Sequence, residues 1–218
     1  GLERQCGIQE FNLGTRRPEM VDGDLARHGS HFYTDKAPGM SLLGAIVYAI
    51  AKTVGGLPDH PVDEAAIPYW PADYFVTLGT SGVLTALLAV VIYAFSLRLG
   101  ATHAGGVVLG LAYGLGTPAL VYATLFYGHQ ASAFCTFTSF FLLYRAAHEG
   151  RPNVWNMLLA GLLAGFSVVV EYQTAVISVV LGLYAIVAIR RVAPVLVFGC
   201  AGVLAGALLA AYNYRAFG

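Results

Sequence analysis

Long apolar stretches, separated by short polar loops, are the dominant pattern of this sequence. Six of them follow one another from residue 74 onward, and they are apolar on all sides rather than on one face. A membrane-spanning helix needs about 20 mostly apolar residues, whereas a surface helix of a soluble domain shows one apolar stripe. The pattern therefore predicts about six transmembrane helices, antiparallel to their neighbours because the loops are short. They are Tyr74–Leu97, Ala104–Thr124, Gln130–Tyr144, Val154–Val170, Thr174–Ile189 and Val192–Tyr212.

The apolar stretch Met40–Val54 fits two arrangements. It is only about 15 residues long, and apolar runs of about 10–14 residues are more often interfacial than membrane-spanning. Residues 1–38 before it are polar, so they lie outside the bilayer. If the stretch crosses the membrane, residues 1–38 are cytoplasmic, and if it lies flat on the surface, they are extracytoplasmic. Its shortness favours the flat, interfacial helix.

Composition places the chain among membrane proteins. Hydrophobic residues make up 57% of it and charged residues only 11%, whereas soluble domains carry about 25% charged residues. The 12 basic residues balance 12 acidic ones and form no basic block, which excludes nucleic-acid binding and disorder. The 26 glycines are typical of membrane helices that pack closely. The sequence therefore predicts an all-α integral membrane protein, whose three cysteines match no zinc or redox spacing.

The distribution of arginine predicts which helix ends face the cytoplasm. The loops after the first, third and fifth predicted spans contain arginine, whereas the opposite loops, 126–129 and 171–173, contain no Lys or Arg. Because cytoplasmic loops are enriched in Lys and Arg, the first set is cytoplasmic and the acidic residues 57–73 lie outside. The chain then divides into an extracytoplasmic region, residues 1–73 with an interfacial helix at 40–54, and a six-helix transmembrane bundle, residues 74–218. The arginines in question are Arg98, Arg145, Arg151, Arg190 and Arg191.

The densest polar sequence, His31–Gly39, directly precedes the short apolar helix. It places Asp35 and Lys36 at the membrane surface, followed by Pro38 and a glycine that suit a sharp helix start. Lys is a good point-charge partner for phosphate, which makes Lys36 a candidate anion-binding residue. The alternative is a surface turn whose lysine only extends to the interface.

His129 and Glu171 are the other polar groups with a candidate role. His129 lies at the outer end of the second predicted span and Glu171 at the outer end of the fourth, so both face the same external surface. Burying polar groups in lipid without partners is costly, and we therefore expect both to face one external cavity together with Asp35 and Lys36. The alternative is that each is a helix-end residue that only reaches water. Asp24, spaced with Asp22 in the polar segment, is a further candidate base or metal ligand.

These residues also carry a resemblance to a known family. The stretch His31–Gly39 resembles the tyrosine–aspartate–lysine–alanine–proline–glycine element of bacterial membrane glycosyltransferases of the GT-C class. That class includes relatives of the protein O-mannosyltransferases and the lipid A aminoarabinose transferases. The resemblance continues in order and covers nearly the whole chain, through Gly116–Pro118, Phe126–His129, Gly161–Tyr172, Tyr212–Asn213 and Phe217–Gly218.

The resemblance implies an activity and a set of site residues. Such enzymes transfer a sugar from a polyprenyl-phosphate carrier to an acceptor at the outer face of the bacterial cytoplasmic membrane. Membrane lipid and the lipid-linked sugar donor are the implied partners, and a divalent metal is left open. The resemblance implies that Lys36 meets the carrier phosphate. The candidate residues are Glu3 and Asp24 for catalysis, and Tyr33, Asp35, Lys36, His129 and Glu171 for binding the lipid phosphate or substrate.

Two departures from the family pattern keep a second function open. Family members begin with a spanning helix that precedes the catalytic Asp, and here that position falls at or before Gly1, with Glu3 the nearest acid. Family members also continue past the equivalent of Phe217–Gly218. We therefore expect either the middle part of such a transferase or a shortened homologue. The alternative function is a non-catalytic accessory subunit, derived from a transferase and bound to other membrane subunits of a larger complex.

Overall fold

The computed structural model describes residues 25–28, 31–34, 36–55, 71–150 and 152–217. The chain divides by its internal contacts into two units. One comprises Gly1–Lys36 with Tyr212–Gly218, and the other comprises Ala37–Ala211. The second unit contains the residues around which the candidate site is built.

The fold is all-α, since eight helices account for most of the described residues. The second of them runs continuously from Pro71 to Arg98 and contains one π-helical turn, Leu78–Gly82, in which Thr80 and Ser81 are buried. The helices are α1 (Gly39–Gly55), α2 (Pro71–Arg98), α3 (His103–Gly116), α4 (Ala119–Ala123), α5 (Gly128–His148), α6 (Val154–Val170), α7 (Thr174–Ile189) and α8 (Val192–Phe217).

A short hairpin is the exception to the helical fold. Strand β1 (Leu25–His28) pairs antiparallel with β2 (His31–Thr34) in the first unit. It was not predicted from the sequence, although the two intervening residues, Gly29 and Ser30, have the types and spacing of a two-residue hairpin connection.

The apolar pattern located most helices correctly but joined two of them. The stretches Val154–Val170 and Thr174–Ile189 are helices with the predicted bounds. The predicted span Ala104–Thr124 is wrong, because α3 ends at Gly116 and α4 starts only after Pro118. Proline lacks an N–H and disfavours a helical conformation at the residue before it. Thr117 is accordingly extended, with φ −124° and ψ 170°.

Among the described residues, two helices are long and apolar enough to cross a membrane. They are Pro71–Arg98 and Val192–Arg215. In the most apolar 18-residue stretch of each helix, only 22% and 17%, respectively, is buried inside the protein. Helix α7 is shorter but also exposes a broad apolar surface, including Val179, Leu183 and Val187, which are 57–68% exposed. Apolar surfaces of this extent require another apolar environment to cover them.

Helices α5, α6 and α7 form a core cluster around fully buried side chains. Leu143, Met157 and Ala185 are each 0% exposed and belong to one cluster. The buried Ser139 hydroxyl donates a hydrogen bond to the carbonyl oxygen of Ala160 at 2.8 Å, so the polar group is paired within the helix contact. The packing of α5 against α6 fixes the ends of these two helices, where the candidate site lies.

Small residues bring α6 into backbone contact with α8. A Cβ atom added at Gly161 would lie 2.1 Å from the carbonyl oxygen of Phe198, and one at Gly165 would lie 2.2 Å from that of Gly202. Both distances are far below van der Waals contact, so only glycine fits. Two glycines four residues apart form the small-xxx-small pattern by which membrane helices approach closely.

Charged groups lie at the two ends of α5 and not between them. At the C-terminal end, Glu149 accepts hydrogen bonds from Arg98 and, at 3.0 Å, from Arg145. These bonds, the one from Arg145 foremost, lower the pKa of the Glu149 carboxyl below its ordinary value. The 21-residue helix is about 30 Å long at 1.5 Å per residue, and residues 130–144 include no Asp, Glu, Lys, Arg or His.

Candidate functional site

The candidate site forms where α5 begins and α6 ends. Tyr127, in an extended conformation, precedes α5, which starts at Gly128 and places His129 in its first turn. Glu171 directly follows α6, is also extended, and donates its N–H to the carbonyl oxygen of Ser167 at 2.8 Å. Because α5 and α6 are antiparallel neighbours, the start of one meets the end of the other.

The two residues that the sequence placed at this end are in direct contact. The Nδ1 atom of His129 lies 2.5 Å from Oε1 of Glu171, and the Ser132 hydroxyl donates to Oε2 of Glu171 at 2.9 Å. Each carboxylate oxygen of Glu171 therefore has a polar partner. The Glu171 side chain is 16% exposed and that of His129 is 44% exposed. We call these two residues the His–Glu pair. The structure brings them together, whereas an external cavity that they share with Asp35 and Lys36 stays a prediction.

Two tyrosines enclose the imidazole of His129. The ring of Tyr122 meets it edge to face, with centroids 4.7 Å apart, and the ring of Tyr127 stacks on it at 6.0 Å with an interplanar angle of 19°. Aromatic contacts of these geometries are favourable and restrict ring rotation. The imidazole is therefore restricted in its orientation, although its side chain is only partly buried.

Glycine at position 128 makes room for the carboxylate. A Cβ atom there would lie 3.0 Å from both Cγ and Oε1 of Glu171. A side chain at this position would require the Glu171 side chain to shift by a few tenths of an ångström. In the sequence, Gly128 stands out only as part of a family motif, and neither Ser132 nor Tyr122 was predicted to belong to the site. The spacing of Ser132, three residues after His129 on the same helix face, was the available signal.

The start of α1 packs beside the His–Glu pair. A Cβ atom at Gly39 would lie 2.6 Å from the carbonyl oxygen of Val169 and from the N atom of Val170, so the two backbones touch. Met40 packs with Ala131 and Val170 in a buried cluster. Helix α1 thus begins next to the residue that precedes Glu171.

The other residues predicted for the site are placed less completely. Glu3, Asp24 and Asp35 lie outside the described residues, and of Tyr33 only the backbone, in β2, is described. Lys36 is exposed and belongs to the first unit, three residues before Gly39. Within the described residues, no group of three or more His, Cys, Asp or Glu side chains is arranged to hold a metal ion.

No family model, curated protein or solved structure matches this chain. The described residues themselves define a helical protein with two helices long enough to cross a membrane. At one helix end it carries an imidazole–carboxylate contact held by a serine hydroxyl and two tyrosine rings. An imidazole positioned by a carboxylate is a type of group that can serve as a general acid or base.

Proposed function

We propose that this protein is a multi-pass membrane glycosyltransferase that moves a sugar from a polyprenyl-phosphate carrier to an acceptor at the extracytoplasmic face. The observation that carries the proposal is the contact between His129 and Glu171, opposite the arginine-rich end of α5. The motif His31–Gly39, with its resemblance to the GT-C class, adds the class of donor substrate.

The spacing of charges along α5 supports the membrane part of the proposal. The His–Glu pair and the Arg98–Arg145–Glu149 group lie at opposite ends of a helix about 30 Å long, which equals the thickness of the hydrocarbon core. Arginine marks the cytoplasmic side, so the His–Glu pair faces outside. The exposed apolar surfaces of α2, α7 and α8 are then covered by lipid.

In the proposed reaction the His–Glu pair is the general base. Glu171 holds Nδ1–H of His129, so the Nε2 atom of the neutral imidazole accepts the proton of the acceptor hydroxyl. The hydroxyl oxygen then bonds to the anomeric carbon while the bond from that carbon to the phosphate oxygen breaks. The electron pair leaves with the polyprenyl phosphate, and the anomeric configuration inverts. Two carboxylates stay as alternative catalytic residues: Glu3, the acid nearest to the position of the family's catalytic Asp, and Asp24, from the spaced pair in the polar segment.

Lys36 is proposed to bind the carrier phosphate. We expect Lys36→Ala to weaken binding of a polyprenyl phosphate about tenfold, the effect of losing one hydrogen bond to a charged group. Lys36 is exposed, so its removal leaves packing intact. Equilibrium binding of a fluorescent polyprenyl phosphate to purified protein in nanodiscs measures the effect.

The chain offers a matched control, because Lys36 and Lys52 are its two lysines. Lys52 is exposed near the C-terminal end of α1, and Lys52→Ala should leave the affinity unchanged. Equal losses from both substitutions would indicate a general effect of charge. Failure of the wild-type protein to bind the carrier would contradict the transferase proposal and favour the accessory-subunit alternative.

The proposed topology places residues 1–38 and α1 outside. In a variant without native cysteines, a cysteine at Ser30 should react with a membrane-impermeant maleimide in intact cells, because that segment is then extracytoplasmic. A cysteine at Glu149, which follows the end of α5 farthest from His129, should react only after lysis. The reverse pattern of labelling would place the His–Glu pair on the cytoplasmic side and exclude an extracytoplasmic reaction.

A further inference from the structure

A cavity that is lined by neither His129 nor Glu171 lies between α1 and the first turns of α2. It has a volume of about 510 Å³, which is within the range of about 300–1,000 Å³ found for small-molecule sites. The polar side chains in its lining are Ser41, Tyr48, Asp73 and Thr77, and Phe126 forms part of its wall. We call this cavity the α1–α2 pocket.

The sequence places these polar residues on two facing helix surfaces. Ser41 and Tyr48 are seven residues apart on α1, and Asp73 and Thr77 are four residues apart on α2, so each pair shares one helix face. Gly44 lies between the first two, and a Cβ atom there would come within 2.7 Å of the Phe126 ring. The absence of a side chain at Gly44 is what allows the aromatic ring to form the wall.

The charge of the pocket restricts what it can bind. Asp73 is acidic, and none of the lining residues, all of them in described parts of the chain, is basic. An anionic phosphate would be repelled by the carboxylate and would find no positive partner. The three hydroxyl groups of Ser41, Tyr48 and Thr77 can both donate and accept hydrogen bonds, and the carboxylate accepts several. The lining therefore suits an uncharged ligand with many hydroxyl groups.

We propose that the α1–α2 pocket binds the ring of a monosaccharide, with Asp73 accepting hydrogen bonds from its hydroxyl groups and Phe126 covering its apolar face. A single ammonium group would use the carboxylate but not the donors that are spread over both helices. The proposal deepens the proposed function and rests on it, because it assigns a binding place to the sugar of the donor. Asp73 is then a binding residue that the sequence analysis did not identify.

The test uses three probes that share an octyl chain and differ in their head groups. They are octyl glucoside, octyl phosphate and octylammonium, applied below their micellar concentrations to the full chain in amphipol. The protein carries alanine in place of Cys6, Cys135 and Cys200, and one new cysteine at Ala45, which lines the pocket and is exposed. The rate at which a water-soluble maleimide modifies this cysteine is measured. A cysteine at Ala104, exposed near the start of α3, serves as the control position.

We expect octyl glucoside to slow modification at Ala45 and not at Ala104. With Asp73→Asn, the concentration for half-protection should rise about tenfold, as for a lost hydrogen bond to a charged group. Asp73→Glu, which keeps the acceptor, should retain part of the protection. This variant also separates binding from the helix-stabilising effect of an acidic residue in the first turn of α2, which both acids supply.

Three other results would overturn the assignment. Stronger protection by octyl phosphate would make the pocket an anion site, and stronger protection by octylammonium would make it an amine site. Absence of protection by any probe would exclude a ligand of these classes. The assay includes no transfer step, so its failure leaves the transferase proposal standing. Conversely, if octyl glucoside protects the cysteine but the protein does not bind polyprenyl phosphate, the pocket binds sugar and the proposed transfer reaction is contradicted.

Discussion

Glu171→Gln is expected to lower the rate of sugar transfer about a hundredfold, the lower limit of what positioned general bases contribute. Glutamine keeps the size of the side chain and an oxygen for the Ser132 hydroxyl, but it removes the charge that stabilises a protonated His129. Its amide can also donate to Nδ1 and so reverse which imidazole nitrogen accepts the proton. The measurement is release of polyprenyl phosphate from a labelled polyprenyl-phosphate hexose in membranes that contain the acceptors.

The ion pair at the other end of α5 provides the matched control. Glu149→Gln removes a carboxylate that also contacts a basic side chain. Transfer should be unchanged, because the proposed topology places that end of α5 on the side opposite the reaction. His129→Gln should cost as much as Glu171→Gln, and the double variant should cost little more, since the two residues act as one unit. Additive losses would mean that the residues act independently, and unchanged rates would remove the His–Glu pair from the reaction.

The convergence of His129 and Glu171 was predictable from the sequence because it depends on few quantities. Short loops between apolar stretches force neighbouring helices to alternate in direction, so polar residues after the second and fourth stretches reach the same side. The break at Thr117 does not affect this convergence, because the separation of α3 from α4 does not change where α5 begins. Helix direction is therefore a more robust prediction than helix length.

The side-chain partners were not predictable in the same way. Ser132 and Tyr122 could not be recognised as site residues because serine and tyrosine are common in apolar helices. Their contacts with Glu171 and His129 depend on how the helices are rotated relative to one another. In the sequence, Asp73 looks like part of the acidic loop before α2. Nothing in the sequence indicates that α1 packs against the first turn of α2, so the position of Asp73 in a pocket could not be predicted. Apolar periodicity gives the position of a helix along the chain, whereas its rotation is decided by contacts between residues distant in sequence.

Glycine contacts between α6 and α8 lead to the largest expected loss of stability. Gly165→Ala should destabilise the protein by about 1–3 kcal/mol, as for other overpacked interiors. The added methyl group would meet the backbone oxygen of Gly202 at 2.2 Å, and a backbone carbonyl cannot rotate away as a flexible side chain can. The helices must separate along their contact, so the neighbouring contact at Gly161 is lost as well. Unfolding by sodium dodecyl sulfate in mixed micelles, followed by circular dichroism, measures the change.

Helix α8 provides a control with the same substitution. A Cβ atom at Gly206 would have nothing within 4 Å, so Gly206→Ala should raise stability by up to about 1 kcal/mol through helix propensity alone. If the free energy of unfolding falls for Gly165→Ala and rises for Gly206→Ala, the loss of stability comes from the contact between α6 and α8 and not from the removal of a glycine as such. Since Glu171 follows α6 directly, Gly165→Ala should also impair binding or transfer that depends on the His–Glu pair. Equal stability of both variants would mean that α6 and α8 do not touch at these glycines.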